Sequence, residues 1–314
     1  MKNNKQLILK YAESLYDAKV IRAHVSGKSN SYNLIFETEK SKMPFILRVS
    51  EYSDTKKKHT DIELNWMNYL AVKLNNIVKP VKSVNNNLYE IINADDKSYI
   101  LCLFEKANGK HLDCNNPMEF NTTLFYNLGA LMGHMHKLTV DYKENSLIIP
   151  EFMSYCAGNY PTLPKSKDCF GKVHNDVQIN NLFVDDNAHI SLFDFDDWAF
   201  SWYAEDIALH FFYIIMFTDI FKNSEKYIID FSENYLMTYF KGYTQAYNIN
   251  KYCMSEFNSF LKHHMIGTYS YLHDFYNNKS PRLRRQCKEN PDLNPQVKSM
   301  QIEEKVESSV EHIE

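Results

Sequence analysis

The sequence predicts an α+β fold with a strand-rich first third and a mainly helical remainder. Three observations lead to this prediction. Short runs that suit β-strands dominate the first 105 residues, and from residue 122 onward apolar residues recur mostly at helical spacing. Between the later helices, residues 172–200 form a turn-rich segment with six aspartates and two adjacent asparagines. The 314 residues are enough for one large domain or two modest domains, and each could have its own core.

The bulk composition excludes several classes of protein. The chain is 44% hydrophobic and 24% charged, as ordinary globular proteins are, and its formal charge of −4 offers no basic surface for nucleic acid. The longest apolar stretch, Ile207–Phe217, is shorter than the roughly 20 residues of a membrane span. Six scattered cysteines without a C-x-x-C pair argue against a disulfide scaffold or a zinc site. We therefore expect a cytoplasmic protein without a nucleic-acid or membrane partner; its oligomeric state is not predicted.

The strand-rich part, residues 1–105, is predicted to be the first domain. Its elements follow from apolar spacing: helices over Asn4–Lys19 and Asp61–Leu74, and strands over Ser31–Thr38, Met43–Ser50, 87–92 and Ser98–Glu105.

The second predicted domain, residues 106–280, begins with an amphipathic helix over Thr122–Leu138. Gly129 and Gly133 lie one turn apart on it, and since each costs about 1 kcal/mol relative to alanine, they indicate close packing against a neighbour. Three further helices are predicted near residues 205–221, 226–247 and 251–276. The polar tail, residues 281–314, is predicted to end in a short helix.

A β-hairpin is predicted between the helix over Thr122–Leu138 and the helix near residues 205–221. The runs Leu182–Val184 and His189–Phe193 are separated by "DDNA", which we interpret as a simple turn. Pairing about a centre between residues 187 and 188 sets Asn181 opposite Asp194 at the open end. Neighbouring strands are about 4.8 Å apart, so these two side chains can bind one ion. An amide oxygen with a carboxylate is hard-oxygen ligation, which suits Mg²⁺.

The residues before and after the hairpin match the motif of phosphoryl-transfer enzymes. His174, Asp176 and Asn181 spell H-x-D-x-x-x-x-N, and D-F-D follows from Asp194. An attacking hydroxyl needs a carboxylate to orient it and take its proton, which predicts Asp176 as the catalytic base. Asn181 and Asp194 are the predicted metal ligands. His174 joins the catalytic group, more as an organiser of the loop than as a reacting side chain.

Four motifs together resemble the aminoglycoside phosphotransferase and choline kinase superfamily. They are "PFILRVS", "LGALMGHMHKLT", "VHNDVQINNLFV" and "SLFDFDDWAFSWYAEDIA". The resemblance spans roughly residues 32–276 and is stronger in the second part. It implies a bilobal protein-kinase-like fold, with a small β-rich N-terminal lobe and a larger, mainly helical C-terminal lobe. It also implies a small-molecule kinase that uses ATP and Mg²⁺.

The resemblance also implies the nucleotide-binding residues. Arg48 occupies the position of the usual phosphate-binding lysine, and Glu63 is its implied ion-pair partner. Arginine binds phosphate in a different geometry, so the two residues are not equivalent. The implied phosphate loop, Ser26–Tyr32, has one glycine. Further implied contacts are the loop residues Gly27, Ser29 and Asn30, and the adenine-facing hinge at Phe104 and Lys106.

The acceptor is predicted to be a small, cationic molecule, because acids flank the metal strand. Asp196, Asp197 and Glu205 are candidates for the acceptor groove, whereas Asp206 is expected to tie down the catalytic loop. Nearby aromatic residues are expected to be core more than ligand-stacking groups: Trp198, Trp202 and Tyr203. The basic run Lys56–Lys58 is interpreted as solvated surface.

Several acceptors stay open: an aminoglycoside-type antibiotic, choline or ethanolamine, and homoserine-like metabolites. A protein kinase is disfavoured because Asp196 replaces the glycine of D-F-G. The alternative outside enzymes is a nucleotide-binding pseudokinase that serves as an interaction module, which the single-glycine loop and the missing lysine favour.

Overall fold

The computed structural model describes most of the chain. The described residues are 2–25, 34–40, 43–94, 96–143, 163, 165–216, 218–249 and 251–278. The predicted phosphate loop, with Gly27, Ser29 and Asn30, and the predicted tail helix lie outside these residues. Within them, no helix combines the length and the apolar character that crossing a membrane requires.

The chain divides into two compact units. The first unit contains Met1–Gly109, Tyr142–Leu147 and Ser191–Asp196. The second contains Lys110–Asp141, Ile148–Ile190 and Asp197–Glu314. The first is rich in strands and the second is mainly helical, as the sequence predicts. The D-F-D segment belongs to the first unit although it follows the catalytic-loop motif in the chain.

The strand-rich unit contains helices α1 (Lys2–Tyr16) and α2 (Asp54–Ala71), and strands β1 (Lys19–Val25), β2 (Leu34–Lys40), β3 (Met43–Glu51), β4 (Pro80–Val81), β5 (Glu90–Ala94) and β6 (Lys97–Glu105). The strands form a six-stranded antiparallel sheet with strand order β1-β2-β3-β6-β4, and β5 also pairs with β6. Helix α1 packs against this sheet through Ile8, Ala12 and Tyr16, which join Leu47 and Leu101 in one apolar cluster. The Tyr16 hydroxyl donates to the Leu101 carbonyl at 2.6 Å, which satisfies a polar group inside this core.

Helix α2 begins seven residues earlier than its apolar spacing predicts. Ser53 caps it, with its hydroxyl accepting the Lys56 N–H at 3.0 Å, and Asp54 lies in the first turn. The first two turns are mostly charged, so apolar periodicity gives no sign of them.

The helical unit contains the remaining elements. They are helices α3 (Thr122–Val140), α4 (Tyr203–Met216), α5 (Glu225–Ala246), α6 (Lys251–Met254) and α7 (Phe257–Asn278), and strands β7 (Phe170–Val173), β8 (Leu182–Val184), β9 (Ile190–Leu192) and β10 (Ala199–Trp202). Strand β9 runs from this unit into the first. Strand β7 pairs with β10, and β8 pairs with β9 in the predicted hairpin.

Close packing of α3 against α5 confirms the prediction made from the paired glycines. A Cβ atom on Gly129 would lie closer than 3.0 Å to the Tyr239 carbonyl oxygen, and one on Gly133 would also lie closer than 3.0 Å to the Tyr243 carbonyl oxygen. Gly242, on α5, faces the α3 backbone in the same way. Any side chain at these positions would separate the two helices.

A disulfide joins Cys169, just before β7, to Cys253 on α6. The sequence argues against a disulfide scaffold, and it did not predict this single pair. The two residues are 84 positions apart, and the chain brings their Cα atoms to 6.0 Å. A long separation without a local motif gives no pairing signal, because connectivity depends on the fold.

Candidate active site

Asp176 lies in the loop after β7, and neighbouring amides hold its carboxylate. The Gln178 side chain donates to both carboxylate oxygens, at 3.0 Å each. The Asn181 amide donates to Oδ2 at 2.5 Å and to the Asp176 backbone carbonyl at 2.9 Å. Asp176 is half-buried, so its carboxylate is oriented and still reaches the surface. The structure thus brings together the predicted base and one predicted metal ligand.

The contacts of Asn181 bear on its fitness as a metal ligand. Its Nδ2 is used on Asp176, so Oδ1 is the side-chain atom left for a ligand. An amide oxygen is a hard donor of the kind that Mg²⁺ accepts. Asn181 is 7% exposed, so few alternative orientations are open to it. The residue therefore fits the metal role predicted for it.

Asp206 anchors the backbone of the catalytic loop. Its carboxylate accepts the N–H groups of Asn175 at 2.8 Å and His174 at 3.3 Å, and it contacts His136 Nε2 at 3.2 Å. Burial alone would raise the pKa of Asp206, but its contact with His136, the nearby His174 and the hydrogen bond from the Asn175 N–H together lower it. The loop-tying role expected for this residue is confirmed. Asn175 has a positive φ of 62°, so its conformation needs such an anchor.

One face of α4 lies along the loop at three successive positions. Asp206, His210 and Tyr213 are spaced i, i+4, i+7 and share that face. His210 Nδ1 hydrogen-bonds the Val177 carbonyl, and burial lowers the pKa of His210 to about 4. The ring is therefore neutral and donates. Burial, followed by the charges of Asp176 and Asp197 and the hydrogen bond with Asp176, raises the pKa of Tyr213.

His174 is fully buried beneath the loop. Its Nδ1 accepts the Asp176 N–H at 3.3 Å, and its own N–H points to Asp206. A buried ring that holds the backbone of Asp176 organises the loop and does not present a surface to a substrate. The organising role is thus the one that these contacts support.

The hairpin turn confirms one prediction and corrects another. Asp185 makes the turn, because its side chain accepts the N–H groups of Asn187 and His189 at 2.9 Å. Its N–H donates to the His189 carbonyl at 3.0 Å, and Ala188 has a φ of 60°. This is a three-residue loop with a bulge residue, so the pairing is centred on Asn187. The predicted pairing was centred between residues 187 and 188, so each residue was paired with a partner one position too late in the chain.

The strand-rich unit contains the predicted phosphate-binding pair. Arg48 on β3 binds Glu63 on α2, with 2.7 Å between Nη2 and Oε2, and both side chains are buried. The guanidinium carbon also lies 5.1 Å above the Phe104 ring. Burial opposes the charge of Arg48, but Glu63 and then Asp196 more than offset this and raise its pKa. A permanently charged, oriented guanidinium results.

The segment Asp194–Phe195–Asp196 places two carboxylates near that guanidinium. Arg48 Nη1 lies 3.9 Å from Oδ1 of Asp194 and 3.9 Å from Oδ1 of Asp196. The Asp194 side chain is 54% exposed, and its carboxylate is a hard donor, so it fits a metal-ligand role. Lys56 Nζ binds Asp196 at 2.5 Å. The interpretation of Lys56 as solvated surface is therefore wrong, because the charge that binds it lies 140 residues later in the chain.

The acidic residues predicted for the acceptor groove have different environments. Glu205 is 1% exposed and accepts a hydrogen bond from Ser201, and burial raises its pKa well above the usual value. It is not a groove residue, which corrects that prediction. Asp196 is held by Lys56. Asp197 is exposed, and its backbone carbonyl accepts from Asn175 Nδ2 at 3.0 Å, next to the loop.

The aromatic residues near the metal strand are core, as the sequence favoured. The exposed fractions are 4% for Trp198, 7% for Trp202 and zero for Tyr203. None of the three offers a face for stacking on a ligand.

The predicted hinge has two backbone donors already in use. The Glu105 N–H bonds the Lys79 carbonyl at 2.9 Å, and the Lys106 N–H bonds the Pro44 carbonyl at 3.2 Å. These contacts fix the end of β6.

Three residues of the two sites were not found from the sequence: Gln178, Tyr213 and Lys56. A helical signal was present for two of them. Tyr213 follows Asp206 by seven residues, and Lys56 precedes Glu63 by seven, which places each pair on one helix face. Gln178 carried no signal beyond its place inside the motif.

The sequence matches no family model. Amicoumacin kinase from Bacillus subtilis (strain 168) is 26% identical to the chain over 273 residues, which cover 79% of each protein.

Solved structures show the fold. The structure of amicoumacin kinase hAmiN in complex with AMP-PNP, Ca²⁺ and Ami aligns with a TM-score of 0.74 at 23% identity, over 91% of each chain. A microcompartment-associated aminopropanol kinase aligns with a TM-score of 0.68 at 16% identity, covering 97% of this chain and 98% of the other. A spectinomycin phosphotransferase bound to ADP and spectinomycin aligns at 0.56 and 12% identity, over 97% of each chain. The chain has the protein-kinase-like fold that the sequence predicted.

Proposed function

We propose that the chain is a member of the aminoglycoside phosphotransferase and small-molecule kinase superfamily and transfers the γ-phosphate of ATP to a hydroxyl group of a small molecule. The observation that carries this proposal is the state of Asp176. Its carboxylate is half-buried, oriented by Gln178 and Asn181, and mounted on a loop whose backbone Asp206 holds. A carboxylate restrained in this way is suited to orienting an attacking hydroxyl and accepting its proton.

The roles of the other residues follow from their chemistry. Arg48 stays charged and is oriented by Glu63, so it is the proposed contact for the nucleotide phosphates. Asn181 and Asp194 each present a hard oxygen, and they are the proposed ligands for Mg²⁺. The bound cation would neutralise charge on the phosphates. ATP and Mg²⁺ are abundant in the cytoplasm, which is the proposed compartment.

We propose a cationic acceptor, such as an amino-alcohol or aminosugar. The support is local: Asp197 is exposed beside the Asp176 loop, and the charge of Asp197 contributes to the raised pKa of Tyr213. Negative charge beside the base favours a positively charged substrate. The named relatives act on amicoumacin, aminopropanol and spectinomycin, respectively.

The test is ADP release over a panel of amino-alcohols and aminosugars, with and without Mg²⁺. Turnover of at least one amine is expected, and only with the cation. Asp176→Asn should abolish that turnover while Mg²⁺ and ATP still raise the melting temperature, since a ligand that binds the folded state stabilises it. The matched control is Asp186→Asn, at an exposed turn position ten residues on, which should leave turnover unchanged.

Two outcomes would contradict the proposal. Turnover that survives in Asp176→Asn would remove the role given to that carboxylate. Stabilisation by ATP without turnover of any acceptor would favour the pseudokinase, which the arginine in place of the usual lysine makes a concrete alternative.

A further inference from the structure

Helix α2 presents four residues along one face, at spacings of three, four and three: Lys56, His59, Glu63 and Trp66. Each contacts either Arg48 or the D-F-D turn that contains Asp194. Glu63 binds Arg48, and Trp66 packs edge-on against the Phe195 ring at 5.4 Å. Lys56 binds Asp196 at 2.5 Å, and His59 Nδ1 lies 3.8 Å from the same carboxylate. One helix face therefore holds both the proposed phosphate contact and the turn.

The D-F-D turn needs to be held because Asp194 adopts a left-handed conformation. Its φ is 63°, which costs a non-glycine residue about 1 kcal/mol or more. The next two residues are the ones that α2 contacts. Phe195 is completely buried against Trp66, and Asp196 is bound to Lys56. The conformation of the exposed Asp194 side chain thus depends on two contacts made by its neighbours.

The Lys56 contact also decides how charge is shared around Arg48. Asp196 is 2.5 Å from Lys56 but 3.9 Å from Arg48, so its main partner is Lys56. Without the ammonium group, Asp196 would be left to pair with the guanidinium. That rearrangement would displace the D-F-D turn.

We propose that Lys56 is a positioning residue for Asp194: by holding Asp196, it fixes the D-F-D turn and thereby sets the affinity of the site for a divalent cation. This inference rests on the proposed function, in which Asp194 is a metal ligand. The neighbouring Lys57 has a different environment, since it pairs with Asp61 within the same helix and is more exposed. The two adjacent lysines therefore form a matched test.

The experiment compares Lys56→Gln, Lys56→Arg and Lys57→Gln with the wild-type protein. Mn²⁺ binding is measured by electron paramagnetic resonance in the presence of a non-hydrolysable ATP analogue. The Mg²⁺ concentration that gives half-maximal turnover is measured beside it. We expect Lys56→Gln to weaken Mn²⁺ binding by about tenfold, the usual effect of removing an outer contact of a metal ligand. Lys56→Arg keeps the charge and should recover most of the affinity, and Lys57→Gln should bind as the wild type does.

A nucleotide titration without metal provides the control for a direct phosphate contact. With EDTA present, the affinity of Lys56→Gln for ADP should equal that of the wild type; an equal loss with and without metal would make Lys56 a phosphate ligand and overturn the inference. Mn²⁺ binding that is unchanged in Lys56→Gln would overturn it too. Should that variant not fold, Asp196→Asn removes the same ion pair and should show the same tenfold loss. If the wild type itself binds no Mn²⁺, the proposed function fails first, which separates the two failures.

Discussion

Replacing Gly133 with alanine should disturb both the stability of the helical unit and the loop that holds Asp176. The new Cβ would lie closer than 3.0 Å to the Tyr243 carbonyl oxygen, whereas ordinary contacts of this kind are 3.4–4 Å. Helix α5 must therefore move away from α3 by at least 0.4 Å. Tyr243 is the residue displaced, and its hydroxyl hydrogen-bonds His136 Nδ1 at 2.8 Å. His136 in turn contacts Asp206, which anchors the catalytic loop.

The size of the effect follows from two opposing terms. Overpacking against another side chain costs about 1–3 kcal/mol, and the upper value applies because the obstacle is backbone. Alanine in a helix regains about 1 kcal/mol relative to glycine. The free energy of unfolding should therefore fall by about 2 kcal/mol. Turnover should fall as well, because the His136 contact is shifted.

Urea unfolding followed by circular dichroism measures the change, and Gly267→Ala is the matched control. Gly267 lies inside α7, and a Cβ there would meet no atom of the described residues within 4 Å. This variant should be more stable than the wild type by about 0.5–1 kcal/mol. If Gly133→Ala is as stable as the wild type or more stable, the packing argument is refuted, because the two glycine positions would then behave alike.

Three further predictions concern single contacts. Tyr213→Phe removes a hydroxyl that hydrogen-bonds Asp176, worth about 1 kcal/mol, so kcat at saturating acceptor should drop about fivefold; an unchanged kcat would contradict this role. The pKa of His210 is about 4 in the folded protein against 6.5 as the ordinary value, so the unfolded chain binds the extra proton between these limits. The stability that His210 contributes is therefore complete above pH 6.5 and falls by about 1.4 kcal/mol per pH unit toward pH 4. Urea unfolding at pH 7, 6 and 5 should show a smaller fall in the free energy of unfolding for His210→Gln than for the wild type. Reduction of the Cys169–Cys253 disulfide, which closes a loop of 84 residues, should lower the free energy of unfolding by up to about 4 kcal/mol. Thiol titration of the unreduced, denatured protein should detect free thiols on no more than four of its six cysteines.

Local patterns in the sequence were sufficient to predict the helices and strands and most contacts between residues near the site. The motif around Asp176 and Asn181 is confined to six residues, so their contact follows from the loop that the spacing predicts. The paired glycines likewise predicted the close approach of α3, because only a neighbouring backbone explains two such residues on one face. The partnership of Arg48 and Glu63 came from the resemblance and is present in the structure.

The missed features depend on parts of the chain that are far apart. Lys56 is bound by a carboxylate 140 residues later, and Cys169 by a cysteine 84 residues later. Glu205 was expected at a surface because acids usually are, but it is buried and accepts a hydrogen bond from Ser201. The hairpin register was missed for a local reason: Ala188 adopts a left-handed conformation that is rare for alanine, and it adds the bulge residue.

The two units hold their site residues by a common device. Asn175 and Asp194 are non-glycine residues with φ near 60°, and each lies at or next to a proposed reacting or ligating side chain. A strained residue persists only where its surroundings fix it, and in each unit a single helix face does so. Helix α4 holds the backbone around Asn175 through Asp206, and α2 holds the residues after Asp194 through Trp66 and Lys56. Because each helix contacts the neighbours of the strained residue, the side chains of Asp176 and Asp194 stay accessible while their backbones are restrained. Substitutions on these helix faces should therefore alter catalysis and metal binding at positions that touch neither substrate nor ion.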